Sequence, residues 1–253
     1  MQQAKITVVA GLPGVGKTTW IGLQLAKTQN CGYFSFGSDN FPTDQIFVES
    51  EFPDVVCLQN KDDLFQYVAK KKCVYIEVNF GVKLTVIDEI LQGLEYQRVA
   101  VGPVENFNSD FPADQIIESS LYKKSPNLTQ MSRICGTGEV IDPVSLDVFW
   151  YEELTQGAYG EIERAKAIFD LANGSCFYFD FVQGRGETDF LELNLPPWIE
   201  GRPKRFSGLE IWGNNLDHSA IAENLKNCYL SDAAIYYYQN QIKQSLNTEP
   251  VTL

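Results

Sequence analysis

Residues 6–18 have the sequence ITVVAGLPGVGKT, and this stretch decides the fold. The first five residues form a largely apolar run that is rich in β-branched residues, which predicts a buried strand. The next eight match the pattern G-x-x-x-x-G-K-[ST] at every position, and a helical pattern begins at Thr18. Strand, glycine-rich loop and helix in this order predict a phosphate-binding loop of the Walker A type. The alternative is a glycine-rich turn that binds nothing.

The loop contains each group that a triphosphate site requires. Its glycines allow the backbone N–H groups to point inward around phosphate oxygens, and the helix N-terminus adds its dipole at the same place. We expect Lys17 to contact the β- and γ-phosphates and the hydroxyl of Thr18 to bind Mg²⁺. The residues predicted to contact the nucleotide are Gly11, Gly14, Val15, Gly16, Lys17, Thr18 and Thr19.

The composition restricts the partners and the location of the protein. A net charge of -13 argues against general binding to nucleic acid or to anionic membranes. No run approaches the ~20 apolar residues of a membrane span. A signal peptide is not expected, because the phosphate loop already begins at Gly11. The six cysteines show no C-x-x-C pair, which predicts buried reduced thiols in a cytoplasmic protein. They are Cys31, Cys57, Cys73, Cys135, Cys176 and Cys228.

Strand and helix patterns alternate through the first part of the chain. This alternation predicts an α/β fold, a P-loop nucleotide-binding domain over residues 1–144 with a mostly parallel sheet covered by helices on both faces. The predicted strands cover residues 33–36, 54–58, 74–76, 98–101 and 128–134, and the predicted helices cover residues 18–27, 60–71, 84–91 and 114–122.

Ligands of such sheets bind at the carboxyl ends of the strands, so acidic residues there are candidates for the site. Glu77 follows an apolar strand and is the best candidate for the acidic partner of Thr18, where it would hold a Mg²⁺-bound water or orient the attacking water. Lys17 and Glu77 are therefore the predicted catalytic residues. Asp39 is a further candidate for the Mg²⁺ site, although Ser-Asp-Asn is also ordinary turn chemistry. For Glu77 the alternative is a solvated residue at a strand end.

Two other patterns have competing interpretations. Asn60-Lys61-Asp62-Asp63 fits N-K-x-D, with which many GTPases bind guanine, but it precedes the acidic strand end. We interpret Asn60 as a helix N-cap instead. Basic residues at Lys123, Lys124 and Arg133 could form a lid over phosphates, and a solvated basic face is the more ordinary interpretation.

A second, smaller α+β domain is predicted over residues 145–228, followed by a polar helical tail over residues 229–253. The lone histidine, His218, is predicted to lie at the surface at the start of a helix. The predicted strands cover residues 148–151, 176–182, 190–195 and 206–212, and helices are predicted over residues 161–172 and from Asp217.

Two segments of this second domain resemble the CobW-like family of P-loop GTPases. Residues 159–167, YGEIERAKA, are similar to the "RAKG" helix that begins the C-terminal domain of that family, and residues 206–217, FSGLEIWGNNLD, resemble its "lvfIGxxLD" strand and turn. Residues 74–81, VYIEVNFG, resemble the family's acidic strand, with Glu77 on its acidic position and Gly81 one residue late. Residues 135–140, CGTGEV, are loosely similar to its base-binding loop.

The resemblance implies a Mg²⁺-dependent GTPase that acts as a metal chaperone or as a helper for a partner protein. Two departures limit it. Where the family has C-x-C-C, this chain has only Cys57-Leu58-Gln59-Asn60, and one thiolate cannot make a tetrahedral zinc site, even if Cys73 lies across an adjacent strand from Cys57. No N-K-x-D motif follows the fifth strand, so the sequence does not decide whether the nucleotide is GTP or ATP.

Three functions follow from these patterns. The first is an active nucleoside triphosphatase of CobW-like descent, supported by Lys17, Thr18 and Glu77. The second is a regulator or scaffold that binds nucleotide without hydrolysing it, supported by the shifted Gly81 and the missing base motif. The third is a small-molecule kinase, which would need Arg133 as its lid arginine.

Overall fold

The computed structural model describes residues 5–38, 41–103, 112–119, 130–185 and 189–248. It divides into two compact units, Met1–Ser125 and Pro126–Leu253, and each is built on its own six-stranded sheet. This division falls earlier than the predicted boundary after residue 144, and the second unit is as long as the first. The reason is that the strand Gln130–Thr137 pairs within the second sheet.

The first unit is an α/β unit with the sheet order β3-β2-β4-β1-β5-β6, and every pairing among these strands is parallel. The predicted α/β fold is therefore confirmed. Its strands are β1 (Ile6–Ala10), β2 (Cys31–Phe36), β3 (Val56–Cys57), β4 (Cys73–Val78), β5 (Tyr96–Gly102) and β6 (Gln115–Glu118). Its helices are α1 (Lys17–Leu25), α2 (Thr43–Glu51), α3 (Lys61–Ala69) and α4 (Leu84–Ile90).

Side chains of β4 divide between the two faces of this sheet. Val74, Ile76 and Val78 pack in one apolar cluster with side chains of α3 and α4. The intervening residues point to the other face, where Tyr75 makes an edge-on ring contact with Trp20 of α1. Helices therefore cover both faces, as expected for a parallel sheet.

Two elements of the first unit differ from the prediction. Residues 114–122 were predicted as a helix, but Gln115–Glu118 form β6, which pairs in parallel with β5. Backbone pairing with β5 outweighs a weak local helical pattern here. Helix α2 was not predicted, because its apolar residues are few and its exposed face is polar.

A disulfide joins Cys31 and Cys73, which face each other across β2 and β4. The prediction that all six cysteines are reduced is wrong for this pair, because the sheet places these two residues at the same level on neighbouring strands. The idea that Cys73 meets Cys57 is also wrong, since Cys57 lies on β3, beyond β2. The other four cysteines are free thiols.

The second unit is an α+β unit with the path β11-β10-β9-β12-β7, antiparallel throughout, and β8 pairs in parallel with β9. Its strands are β7 (Gln130–Thr137), β8 (Val140–Ile141), β9 (Glu161–Leu171), β10 (Cys176–Val182), β11 (Asp189–Glu192) and β12 (Phe206–Asn214). Its helices are α5 (Pro143–Asp147), a π-helix (Val148–Leu154), α6 (His218–Asn227) and α7 (Asp232–Thr248).

The predicted helix over residues 161–172 is wrong, because this segment is the central strand β9. It pairs with β10 on one side and β12 on the other, so its backbone forms hydrogen bonds to both neighbouring strands. Ala165, Ala167 and Phe169 alternate on the face that packs into the core. A strand buried on both faces lacks a clean alternation of polar and apolar residues, and the good helix formers Glu, Arg, Lys and Ala then favour the wrong prediction. The segment resembling the family's helix is thus a strand.

Residues 148–151 were predicted as a strand, and they begin the π-helix instead. The preceding helix, α5, has Asp142 as its N-cap, and the carboxylate of Asp142 accepts a hydrogen bond from the backbone N–H of Ser145. Thr155 donates its backbone N–H to the carbonyl of Trp150, five residues earlier. Phe149 and Trp150 are buried in the core of the second unit, so the aromatic run reflects burial and not strand structure.

Helix α7 packs on the second unit and does not form a separate tail. Ile235 is buried with Val140 and Ala172, and the side-chain amide of Gln239 exchanges two hydrogen bonds with the backbone of Gly201. In the described part of the chain, no helix has the length and apolar character needed to cross a membrane.

Candidate functional site

The loop between β1 and α1 has the backbone shape that its glycines allow. Gly14 and Gly16 have φ angles of 76° and 94°, a region that side-chain-bearing residues rarely adopt. Gly16 is the N-cap of α1, so the left-handed residue lies directly before the helix. At Gly11, an added Cβ would lie 2.2 Å from the carbonyl oxygen of Val101. The loop therefore needs glycine at position 11 for space and at positions 14 and 16 for conformation.

Lys17 is folded back over this loop. Its ammonium group donates hydrogen bonds of 3.1 Å to the carbonyl oxygens of Gly11 and Leu12. The residue is only 7% exposed. A buried ammonium is costly unless it is paired, so the loop holds a positive charge at the helix N-terminus in a chain that is otherwise acidic. Charge and dipole together make this a favourable place for an anion.

The carboxylate of Glu77 connects the loop helix to the sheet. Thr18 donates its hydroxyl hydrogen to Oε1 of Glu77 at 2.9 Å, and Tyr33 donates to Oε2 at 2.8 Å. Glu77 is 1% exposed and Tyr33 is fully buried. The interpretation of Glu77 as a solvated strand-end residue is therefore wrong. The β1–β4 register aligns Glu77 with Val9, next to the start of the loop.

Further polar groups lie beside Glu77 on the same face of the sheet. Asn79 donates its side-chain amide to the hydroxyl of Ser35 at 3.0 Å. Burial, together with the negative charges of Glu77 and Asp44, raises the pKa of Tyr33 well above its ordinary value. Tyr33 therefore remains a protonated donor at neutral pH and above, and Asp44 is a second buried carboxylate near it.

The oxygens of Thr18 and Glu77 suit Mg²⁺, which prefers hard oxygen ligands and keeps several waters. Zinc is different. Cys73 is bound to Cys31, and burial raises the pKa of the Cys57 thiol to about 12, so it is not a ready thiolate ligand. Within the described residues, no three side chains of His, Cys, Asp or Glu form a group that could hold a metal ion. The residues present do not fit the zinc site that the family resemblance implied.

The structure brings together some of the predicted residues and not others. Val15 is buried beneath the loop, and Thr19 is exposed on α1. Asp39, Lys123 and Lys124 lie outside the described residues. Arg133 lies on β7 of the second unit and forms an ion pair with Glu210 of β12. The lid arginine of the kinase hypothesis stays a prediction.

Other sequence interpretations also have definite outcomes. Residues 135–137 of the loosely predicted base-binding loop belong to β7 and pair with β12. Asn60 caps α3, accepting a hydrogen bond of 2.9 Å from the backbone N–H of Asp63, as the N-cap interpretation predicts. His218 is exposed at the start of α6, as predicted.

Sequence reasoning missed Tyr33 as a member of the site. The sequence pattern predicts it only as part of the strand over residues 33–36. The available signal was that a tyrosine hydroxyl in a buried strand needs a polar partner, and that Ser35, two residues later, adds a second polar group to the same face.

The sequence matches no model of a known protein family and no curated protein. Among solved structures, the Zn(II)-bound YjiA GTPase from E. coli is similar over 90% of this chain and 99% of its own, with 12% identity and a TM-score of 0.32. A Zn(II)-bound triple mutant of YjiA GTPase gives the same values. Identity and TM-score are both low, and the function proposed below therefore depends on the geometry around Lys17 and Glu77.

Proposed function

We propose that this protein binds a nucleoside triphosphate, GTP or ATP, together with Mg²⁺ and hydrolyses it, as a divergent CobW-like protein that assists a partner protein. The observation that carries the proposal is the hydrogen bond from the hydroxyl of Thr18 to the carboxylate of Glu77. This bond lies next to the glycine-rich loop, over which the ammonium group of Lys17 is folded. A glycine-rich turn that binds nothing has no need for a buried carboxylate at this place.

The binding part of the proposal is supported by charge. Lys17 and the N-terminus of α1 supply the positive potential, and the backbone N–H groups of the loop would supply donors for phosphate oxygens. The ammonium of Lys17 would exchange its two loop carbonyls for phosphate oxygens, which are stronger acceptors because they are charged. Exposed carboxylates elsewhere in the chain oppose this only weakly, because salt screens charges at the surface that lie more than a Debye length away.

The hydrolytic part is supported by the carboxylate. Thr18 would contact the metal, and Glu77 would accept hydrogen bonds from Thr18 and from a water at the site. Mg²⁺, when bound in such a site, neutralises charge that develops between the β- and γ-phosphates. Glu77 would orient the attacking water, which is the role we propose for it alongside Lys17.

The regulator that binds without hydrolysis remains a second candidate because of Gly81. This glycine has a φ of 86° and lies in open space, with no atom within 4 Å of an added Cβ. It lies one residue later than the glycine of the family's acidic strand, and this shift is what supports the second candidate. Release of phosphate distinguishes this candidate from the first.

The test is a titration of the purified full chain with fluorescent, non-hydrolysable analogues of GTP and ATP, with Mg²⁺ and with EDTA, alongside phosphate release from the natural nucleotides. Lys17→Ala should lower the affinity about tenfold to a hundredfold, the worth of a hydrogen bond to a charged group. Lys27→Ala, which removes an equal charge from an exposed position beyond α1, is the matched control and should leave it unchanged.

Equal affinity of the two lysine variants would contradict the proposed site. Binding without phosphate release above background would favour the regulator. Equal affinities for the GTP and ATP analogues would indicate that the site does not distinguish the bases.

A further inference from the structure

Tyr33 and Glu77 lie on neighbouring strands of the first unit. The register of β2 and β4 places Ser35 beside Glu77, so Tyr33 is two residues earlier on the same face. From there its hydroxyl reaches Oε2 of Glu77 at 2.8 Å. Both residues are almost completely excluded from solvent. The contact therefore joins two buried polar groups in the sheet, away from solvent.

The two oxygens of this carboxylate are held from different elements. Oε1 accepts from Thr18 on α1, and Oε2 accepts from Tyr33 on β2. The bond to Tyr33 opposes rotation of the carboxylate about its last side-chain torsion, which is otherwise a broad and easily turned angle. With Oε2 fixed to the sheet, Oε1 stays directed at Thr18.

We propose that Tyr33 is a positioning residue for the Mg²⁺ site, which acts by holding Glu77 so that Oε1 faces the hydroxyl of Thr18. This inference depends on the proposed function, because it assigns Tyr33 a part in that same site. Residues that hydrogen-bond to a group at a metal site, without contacting the metal, orient the groups that contact the metal or its waters. Tyr33 would act through Glu77 and need not contact the nucleotide.

The structure separates this role from simple packing. The ring of Tyr33 fills buried space, and phenylalanine would fill the same space without the hydroxyl. Any effect of Tyr33→Phe on Mg²⁺ is therefore an effect of the hydrogen bond. Tyr67 of α3 offers a matched control, because it is a buried tyrosine of the same unit. Its hydroxyl donates at 3.3 Å to the backbone carbonyl of Asn30 and not to Glu77.

The experiment measures the Mg²⁺ concentration that gives half-maximal binding of the fluorescent triphosphate analogues, and their affinity in EDTA. Tyr33→Phe should raise the half-maximal Mg²⁺ concentration about tenfold, as is typical when a residue behind a metal site is lost. Affinity in EDTA should change less than about twofold, because the loop and Lys17 are unaltered. Tyr67→Phe should match the wild type in both measurements.

A double variant tests whether Tyr33 acts through Glu77. Glu77→Gln should itself raise the half-maximal Mg²⁺ concentration, and adding Tyr33→Phe to it should have little further effect, since the carboxylate that Tyr33 holds is already gone. Thermal unfolding without nucleotide checks that each variant is folded at the assay temperature.

The possible results separate the two proposals. If the wild type shows no Mg²⁺-dependent binding, the proposed function fails and this inference fails with it. If the wild type binds as proposed and Tyr33→Phe has a normal Mg²⁺ requirement, only the inference is overturned. An equal loss of affinity with and without Mg²⁺, or full additivity with Glu77→Gln, would also overturn it.

Discussion

Cys31 and Cys73 are joined by a disulfide at the beginning of β2 and β4, and the same two strands carry Tyr33 and Glu77 further along. The bond lies at the end of the strands opposite the glycine-rich loop between β1 and α1. It closes a segment that includes α2, β3 and α3. The disulfide therefore fixes the pairing of the two strands whose side chains meet at the candidate site.

The unreduced protein should show four reactive thiols in denaturant and six after reduction, because only Cys31 and Cys73 are paired. Cys31→Ser should lower the free energy of unfolding by about 4 kcal/mol, since the bond closes a loop with a sequence separation of 42. Cys135→Ser changes an exposed free thiol and should have little effect. Six thiols without reductant would contradict the pairing.

Two glycines of the first unit should respond differently to substitution by alanine. Gly11→Ala would place a Cβ 2.2 Å from the carbonyl oxygen of Val101, so the backbone must shift, at about 3 kcal/mol of unfolding free energy. The Cβ of Gly81→Ala would meet open space. This variant should lose only about 1 kcal/mol of unfolding free energy, because alanine is strained at the left-handed φ of 86°. Denaturant unfolding measures both changes, and equal losses would contradict the close packing of the loop.

Tyr33 should make stability depend on pH above about 10. Its pKa is raised in the folded protein, first by burial and then by the charges of Glu77 and Asp44, while a hydrogen bond with Ser35 opposes the rise. Above pH 10 the unfolded chain therefore releases a proton that the folded protein keeps, and stability falls as pH rises.

Tyr33→Phe lacks this proton, so it should lose less stability at alkaline pH. The wild type should lose about 1.4 kcal/mol per pH unit more than the variant above pH 10. Unfolding in denaturant at pH 9, 10 and 11 measures the difference between the two proteins, and the contributions of all other groups cancel in it. A difference that does not vary with pH would contradict the raised pKa.

Asn60→Ala tests the choice between an N-cap and a guanine-binding motif. The side chain of Asn60 accepts from the backbone N–H of Asp63, and the carboxylate of Asp63 accepts in turn from the backbone N–H of Gln59. Loss of the cap should lower the free energy of unfolding by about 1 kcal/mol. The ratio of GTP to ATP affinity should not change, and a selective loss of GTP affinity would instead favour the guanine-binding motif.

Sequence reasoning was accurate for the first unit where local patterns and sheet position agree. The glycine-rich loop, its flanking strand and helix, and the strand ending near Glu77 are all determined by residues close in sequence. Strand β6 was missed because its stability comes from pairing with β5. The same limit explains β9 in the second unit, where a segment with good helix formers becomes the central strand.

Residues 6–18 by themselves determined a strand, a glycine-rich loop and a helix in this order, because glycine conformation and apolar patterning act over a few residues. Only the tertiary structure decided what surrounds that loop. In the folded chain, the hydroxyls of Tyr33 and Thr18 donate hydrogen bonds to the two carboxylate oxygens of Glu77. Cys31 is joined to Cys73, and Arg133 lies in the second sheet. These relationships depend on the order and register of strands distant in sequence, which no local pattern specifies.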